Sequence, residues 1–423
     1  MEDGGTRRGF EIDAARAWAR ARGYDVQFEP FRWPDLETDL RAGRFDVVMS
    51  GVTVRAERIA RSPMSAAVTR AEAGLYVRAP LPGLSRPAPD GRGLRVAVNR
   101  GGHLERLARA RLPAADLQLV TENRSLPDLL RHGEVDAIVA DGAEAASFPP
   151  GIVRARRLGS GRKAWWAAPD RPELAADLSR WANSPKGRQQ IASLRQRWGL
   201  PPPAPVGSAL SAAQDRVVDL VARRLALMPL VAEAKRAAGD APSAVSPPAA
   251  AVAVLAPTRE AEIRERARAR ARANRLEVDG VLDLVEAQLT AARGIQERVL
   301  ATETAATSVF SLDRELRPAI DAIDDELARA LGEAVPRTSA ASVWRAALAQ
   351  ETVGIAVAQP ELDRLAAALA GVRPAAVCRT SRRPQVSKSL SSGRRRGVPA
   401  LASHRIRPLP RAETGPRATP DRR

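Results

Sequence analysis

The chain has one cysteine, three histidines and aromatic residues at only 4% of its 423 positions. A lone cysteine, Cys378, excludes an intramolecular disulfide and leaves the redox compartment open. His103, His132 and His404 beside one cysteine make no metal-ligand cluster. Long apolar runs are also missing. The uncharged stretch over residues 241–258 is broken by Pro242, Pro247, Pro248 and Pro257, and reads as a linker-like insertion, not a membrane span. Met1-Glu2-Asp3-Gly4-Gly5 has neither the basic nor the apolar stretch of an export signal.

Hydrophobic residues make up 44% of the chain, which suits folded domains, and the length allows two or three of them. Alanine and arginine are used heavily throughout, so a single arginine carries little information. Of the formal net charge of +18, +11 falls in residues 377–423, where Arg382-Arg383 and Arg394-Arg395-Arg396 lie; only +7 remains for everything before. The basic balance therefore belongs to an Arg/Pro/Ser-rich tail that reads as disordered, and not to a nucleic-acid-binding surface.

In the first half, Gly9-Phe10-Glu11-Ile12-Asp13 leads into a helix over residues 14–22. Residues 24–29 alternate as a strand does, residues 33–42 are helical, and residues 45–49 form a short buried strand ending at Ser50-Gly51-Val52-Thr53. This alternation implies a parallel sheet with ligands beyond the carboxyl ends of its strands. Residues 94–98 form a strand running into Asn99-Arg100-Gly101-Gly102-His103 and a helix to Arg111. A glycine-rich turn opening a helix binds carboxylates through free N–H groups. Residues 135–140 deliver Asp141-Gly142-Ala143-Glu144-Ala145, in which Asp141 and Glu144 also read as a helix N-cap and its capping box.

From Ala213 the pattern is helical, and positions 217, 220, 221, 224, 228, 231 and 235 form one stripe. Val217, Leu220, Val221, Met228 and Val231 are apolar; Arg224 and Lys235 share their face. A cation in a core stripe is costly without a partner, which points to a buried anion site. Pro229 should kink this helix. A further helix over residues 279–304 buries Val281, Val285, Leu289, Ala292, Ile295 and Val299, and helical patterning returns at residues 342–357 and 362–369.

On these residues, the part from about Gly9 to Leu200 resembles the cyclohexadienyl dehydratases, built on the bilobal fold of periplasmic solute-binding proteins of family 3. Ser50-Gly51-x-Thr53 followed by Glu57-Arg58 is similar to the motif in which backbone amides, a hydroxyl and an arginine hold a carboxylate. Trp33 in Arg32-Trp33-Pro34 matches a pocket tryptophan. Asn99, Gly101 and Gly102 match the second-lobe turn, although the family usually has Pro at Arg100 and Thr at His103. The resemblance implies that Asp141 receives a ligand amino group, that Glu144 is the general acid, and that Lys163, before Ala164-Trp165-Trp166, is a cleft cation. The family opens with a strand ahead of the first helix, so an N-terminally truncated gene is expected.

The part from about Ser211 to Asp325 resembles a gamma-class, secreted-type chorismate mutase. Arg224-Leu225-Ala226-Leu227-Met228-Pro229 with Lys235 is similar to that family's first-helix motif. The resemblance implies that Arg224 binds a substrate carboxylate and Lys235 donates to the ether oxygen. Pro257-Thr258-Arg259-Glu260 resembles the start of its second helix, with Arg259 meeting substrate, although the usual aspartate three residues earlier is Ala256. Gln296 stands where the family has a Gln or Glu donor, and Arg317 in Arg317-Pro318-Ala319-Ile320-Asp321 matches the arginine completing the carboxylate site.

The expected organisation is multidomain. An α/β bilobal periplasmic-binding-protein-like domain without its first strand spans 1–204. An all-α mutase domain spans 205–372 with an insertion at about 239–257, and a disordered tail spans 373–423. The two activities would be consecutive steps of phenylalanine biosynthesis in the shikimate pathway, chorismate to prephenate and prephenate or arogenate to its aromatic product. The alternative is a mutase fused to a non-catalytic, amino-acid-type solute-binding domain. Neither reaction calls for a cofactor or metal. The expected partners are chorismate and prephenate or arogenate, with no nucleic acid and no membrane insertion, and a homodimer through the helical half stays open. Family resemblance implies a periplasmic or secreted protein.

Overall fold

Residues 2–3, 6–31, 35–79, 88–200, 210–238, 257–302, 309–335, 339–352 and 354–376 are described by a computed structural model of the chain. Expectations for Trp33, for the insertion up to residue 256 and for the tail from residue 377 fall outside these residues.

A short antiparallel pair, β1 (Glu2–Asp3) and β2 (Thr6–Arg7), precedes α1 (Phe10–Arg22). Glu11 and Asp13 in the first turn of α1, with Arg20 and Arg22 in its last, oppose the helix dipole. The helix stops at Gly23, whose φ of 71° is left-handed. It packs Phe10, Ala14, Ala17 and Trp18 against Trp165, Leu178 and Trp181. There follow α2 (Leu36–Arg41), β3 (Val47–Thr53), α3 (Ala56–Arg61), β4 (Thr69–Arg78), β5 (Arg95–Asn99), α4 (His103–Arg111), β6 (Asp116–Val120), α5 (Leu126–His132), β7 (Ala137–Asp141), α6 (Gly142–Ala145), β8 (Ile152–Ala167), α7 (Pro172–Asn183) and α8 (Pro185–Arg197).

Six strands form one sheet in the order β3-β8-β4-β7-β5-β6. The expected parallel sheet is corrected to a mixed one. Only β5 runs parallel to its neighbours β6 and β7, because helical crossovers join those three. β8 is antiparallel to β3 and β4, and β4 is antiparallel to β7. β4 and β8 are the long strands that pass from one lobe to the other. Residues 24–29, expected as a strand, have no regular structure. Alternation makes a strand only where an edge accepts its hydrogen bonds; here Phe28 instead packs under the Arg16 guanidinium, 5.4 Å from its ring centre.

In the helical half, Ser211 and Gln214 close a capping box at the start of α9 (Ala212–Ala226). Pro229 has the effect its ring dictates: the helix breaks at Leu227 and restarts as α10 (Met228–Ala237). Then come α11 (Pro257–Ala273), α12 (Val278–Leu300), a π-helical turn over Leu312–Leu316, α13 (Arg317–Ala334), α14 (Ala341–Glu351) and α15 (Gln359–Gly371). Val217, Leu220, Val221, Met228 and Val231 are buried as the stripe requires, and Arg224 is buried with them.

Both halves belong to one unit, Met1–Ala376. A single apolar cluster runs from Leu36, Leu40, Ile59, Met64 and Trp166 into Val217, Leu220, Leu225 and Ile323. Beside it lies an ionic seam. Arg162 of β8 reaches Glu351 of α14 at 2.7 Å, and Asp215 and Asp219 of α9 at 3.0 and 3.6 Å. Arg70 of β4 pairs with the same Glu351, and Arg223 Nη1 donates to the Ser65 carbonyl at 3.0 Å. Burial acts to raise the Asp219 pKa, but Arg223, Arg162 and Arg216 outweigh it and hold this carboxyl far below the ordinary range.

Candidate functional site

The register of β8 places Lys163 opposite both Thr53 of β3 and Thr69 of β4. Its Nζ donates to Asp141 Oδ2 at 2.8 Å and to Thr53 Oγ1 at 3.0 Å, and all three side chains are buried. Asp141 ends β7 and caps α6, its Oδ1 accepting from the amides of Ala143 and Glu144, each at 3.0 Å. The N-cap reading of Asp141 holds, with one oxygen on the helix amides, while the other oxygen is taken by the chain's own lysine. Burial acts to raise its pKa, but Lys163 and the two amides hold it below the ordinary value. Glu144 goes the other way. Burial, and then the Asp141 charge, push it up to about 7 against the pull of Lys163 and of Asn123, whose Nδ2 donates to it at 2.7 Å. Neighbouring carboxyls driven apart in this way leave one ionised and the other able to carry a proton near neutrality.

The Ser50-Gly51 loop is used differently from the expectation. Gly51 has a left-handed φ of 61°, and its amide donates to Glu11 Oε1 at 3.0 Å, while Trp165 Nε1 donates to Glu11 Oε2 at 2.7 Å. A carboxylate of the chain itself holds the amide expected to meet a ligand, and burial raises the Glu11 pKa. The Gly101 amide likewise donates to Glu105 Oε2 at 2.6 Å, and Gly102 is the N-cap of α4. Asn99 ends β5 with a buried Oδ1 that has no hydrogen-bond partner. Arg58 Nη1 donates to the Thr53 carbonyl at 2.8 Å, and its guanidinium lies 5.7 Å from the Trp166 ring centre. Burial, Arg55 and Arg106 lower the Arg58 pKa to about 10, so it stays cationic at neutral pH. His103 is pushed down to about 4 by burial and by Lys163, Arg55, Arg58 and Arg106, and is neutral there.

The structure therefore gathers Thr53, Lys163, Asp141 and Glu144. Sequence reasoning missed Glu11, whose place in a first helical turn reads as a dipole effect, and Asn123, which no motif marks. Glu57, quoted in the motif without a role of its own, accepts from Arg55 at 2.8 Å and from Arg106 of α4 at 3.3 Å and so ties α3 to α4. Arg55 and Arg106 were hidden by the arginine-rich composition.

In the helical half, Lys235 Nζ donates to Gln296 Oε1 at 3.0 Å, and the Gln296 amide nitrogen faces the Met228 sulfur at 3.7 Å. Arg224 donates through Nε to Asp324 Oδ1 at 2.9 Å, and its Nη1 is buried without a hydrogen-bond partner. Arg259, in the first turn of α11, lies 2.8 Å from Glu262 and 3.8 Å from Asp321. Arg317 is the exception. It opens α13, pairs with Asp313 one turn earlier, and its side chain is 43% exposed. The expected cage of Arg224, Lys235, Gln296 and Arg317 is corrected here: Lys235 and Gln296 touch and Arg224 is buried on the same stripe, whereas the nearby Asp313 keeps Arg317 at the surface. Among the described residues no group of three metal-ligating side chains occurs, and no helix is long and apolar enough to cross a membrane.

Residues 1–201 match the model of the bacterial extracellular solute-binding proteins, family 3, and residues 209–297 match chorismate mutase type II. A cyclohexadienyl dehydratase of Pseudomonas aeruginosa is 30% identical over 151 residues, which is 34% of this chain and 54% of that protein. An L-cystine-binding protein of Escherichia coli is 28% identical over 139 residues, 33% of this chain and 52% of that protein. The chain thus spans about half the length of the curated relatives it matches. A solved ancestral amino-acid-binding protein, described as a precursor of cyclohexadienyl dehydratase, aligns with a TM-score of 0.43 at 26% identity, covering 47% of this chain and 87% of that one.

Proposed function

From a chain that joins a family 3 solute-binding domain to a type II chorismate mutase domain, we infer a bifunctional enzyme. The helical half converts chorismate to prephenate, and the α/β half converts prephenate or arogenate to the aromatic product. An extracytoplasmic location goes with this reading. The observation that carries its second activity is Glu144, a half-buried carboxyl pushed up to about 7 beside the Asp141–Lys163 pair.

Dehydration needs one proton donor. Glu144 gives its proton to the ring hydroxyl and the C–O bond breaks to release water. The electrons of the ring carbon–carboxylate bond enter the ring as carbon dioxide leaves, and Glu144 is reprotonated from solvent. Arg58 and Lys163 supply positive charge for the substrate carboxylates. The first reaction is a pericyclic rearrangement that needs a held conformer and charge at the breaking C–O bond. Lys235 and Gln296 suit that bond, and Arg224 suits a carboxylate.

The purified full chain incubated with chorismate should form prephenate and then phenylpyruvate. Glu144→Gln should stop the second step and leave the first. A second reading keeps the α/β half as a binder only. It is favoured by the Gly51 and Gly101 amides, both already engaged by side-chain carboxylates of the chain. Prephenate that accumulates without phenylpyruvate, when Glu144 is intact, selects that reading.

A further inference from the structure

We propose that Asp324 is a positioning residue for the chorismate rearrangement, acting through Arg224; this rests on the mutase reading of the helical half. Asp324 lies in α13 and approaches Arg224 from the side. Its Oδ1 accepts from Nε alone, at 2.9 Å; the Arg224 side chain is buried and that of Asp324 is partly so. Held at Nε by a single oxygen, the guanidinium is fixed in direction while its Nη1 remains buried with no acceptor.

The neighbouring arginines of α9 are gripped otherwise. Arg216 uses Nη1 and Nη2 on Asp219 and Glu326, and Arg223 uses Nε and Nη1 on Asp219 and the Ser65 carbonyl. Each of those two guanidiniums is held through two nitrogens, although Arg216 Nε and Arg223 Nη2 also make no hydrogen bond. Arg224 is anchored by one nitrogen, and a buried N–H left without an acceptor is destabilising, a deficit that substrate carboxylate oxygens would remove. A planar guanidinium fixed through one nitrogen meets a carboxylate in one orientation only, which is what selection of a compressed substrate conformer requires.

The other oxygen of Asp324, Oδ2, lies 3.9 Å from Arg270 Nη1 of α11. Asp324 therefore sets Arg224 relative to three helices, α9, α11 and α13. No sequence motif marks it, because its partner lies 100 residues away in the chain.

The test uses the full chain and chorismate. Asp324→Asn should raise KM by about tenfold or more, the effect of misdirecting one charge-assisted hydrogen bond, with kcat changed less and the melting temperature reported alongside. Asp324→Glu should recover part of the loss. In an Arg224→Ala background, Asp324→Asn should have no further effect on KM. An unchanged KM in Asp324→Asn, or an equal loss in both backgrounds, overturns the proposal. If Asp324→Asn does not fold, Asp324→Glu decides: a carboxylate displaced by one methylene must raise KM. A wild-type chain that does not consume chorismate sinks the mutase reading itself, a result distinct from an active wild type indifferent to Asp324.

Discussion

Arg162 and Lys163 are consecutive on β8 and serve opposite faces of it. Lys163 meets Asp141 at 2.8 Å in the cleft, while Arg162 meets Glu351 at 2.7 Å and Asp215 at 3.0 Å in the helical half. Side chains alternate along a strand, so a single peptide step separates the floor of one candidate site from the seam that docks the other. Because β4 carries Arg70 into the same seam, the helical half is fastened to the two strands that link the lobes.

That fastening predicts a stability effect. Arg162→Met leaves Asp219 and Glu351 buried with less positive charge around them, and breaking a buried pair from one side costs about 3–5 kcal/mol. Thermal unfolding followed by circular dichroism should show a fall of several degrees, with both halves melting together. A melting temperature within error of the wild type would show that the apolar cluster alone holds the seam.

Asp219 predicts the acid limb. Its folded pKa lies far below the ordinary 3.8, so its ionic stabilisation is present above that value and is lost as pH falls toward the folded pKa. Asp219→Asn should be less stable than wild type at pH 7, and the gap should narrow progressively below about pH 4. Urea midpoints measured across that range check the sign; a gap that widens on acidification contradicts it.

Local chemistry was legible in the sequence. The interruption at Pro229, the stripe that buries Arg224, and the Asp141-to-Glu144 spacing all depend on residues within a few turns of one another. What was not legible depends on distant partners. Residues 24–29 alternate correctly but have no edge to pair with, and the antiparallel return of β8 cannot be inferred from alternating elements. Glu11 looks like any first-turn acid until Gly51 and Trp165 come to it from 40 and 154 positions away. Arg317 shows the reverse, since its motif matched while its near neighbour Asp313 captured the side chain.

Gln296 predicts a pH response by contrast. A neutral amide beside Lys235 needs no proton to donate, so wild-type mutase activity should show no loss with rising pH that traces to this residue. Gln296→Glu places a carboxyl next to that ammonium, which favours the ionised form that cannot donate. Rearrangement by the variant should fall by about tenfold or more at neutral pH and recover toward acid, as one donated hydrogen bond is restored. Chorismate consumption from pH 5 to 9 by both proteins decides; a steep wild-type loss near pH 6 that altering Gln296 abolishes, or a Gln296→Glu variant whose activity is flat in pH, would contradict it.

Glu144 predicts two pH profiles that must agree. As a general acid it works protonated, so phenylpyruvate formation should decline as pH rises through about 7, and Glu144→Gln should lack the activity at every pH. The same raised pKa is a statement about folding. The unfolded carboxyl ionises near 4.5, whereas the folded one holds its proton to about 7, so stability is fully present below 4.5 and drains away across that interval. Glu144→Gln cannot ionise and escapes the drain. Its stability relative to wild type should therefore rise between those two pH values, by about 1–3 kcal/mol, and stay level beyond. Denaturant midpoints measure this without any substrate. If the stability gap opens across the window while activity is flat in pH, the carboxyl is shifted as described but is not the proton donor, and the dehydration reading loses its acid.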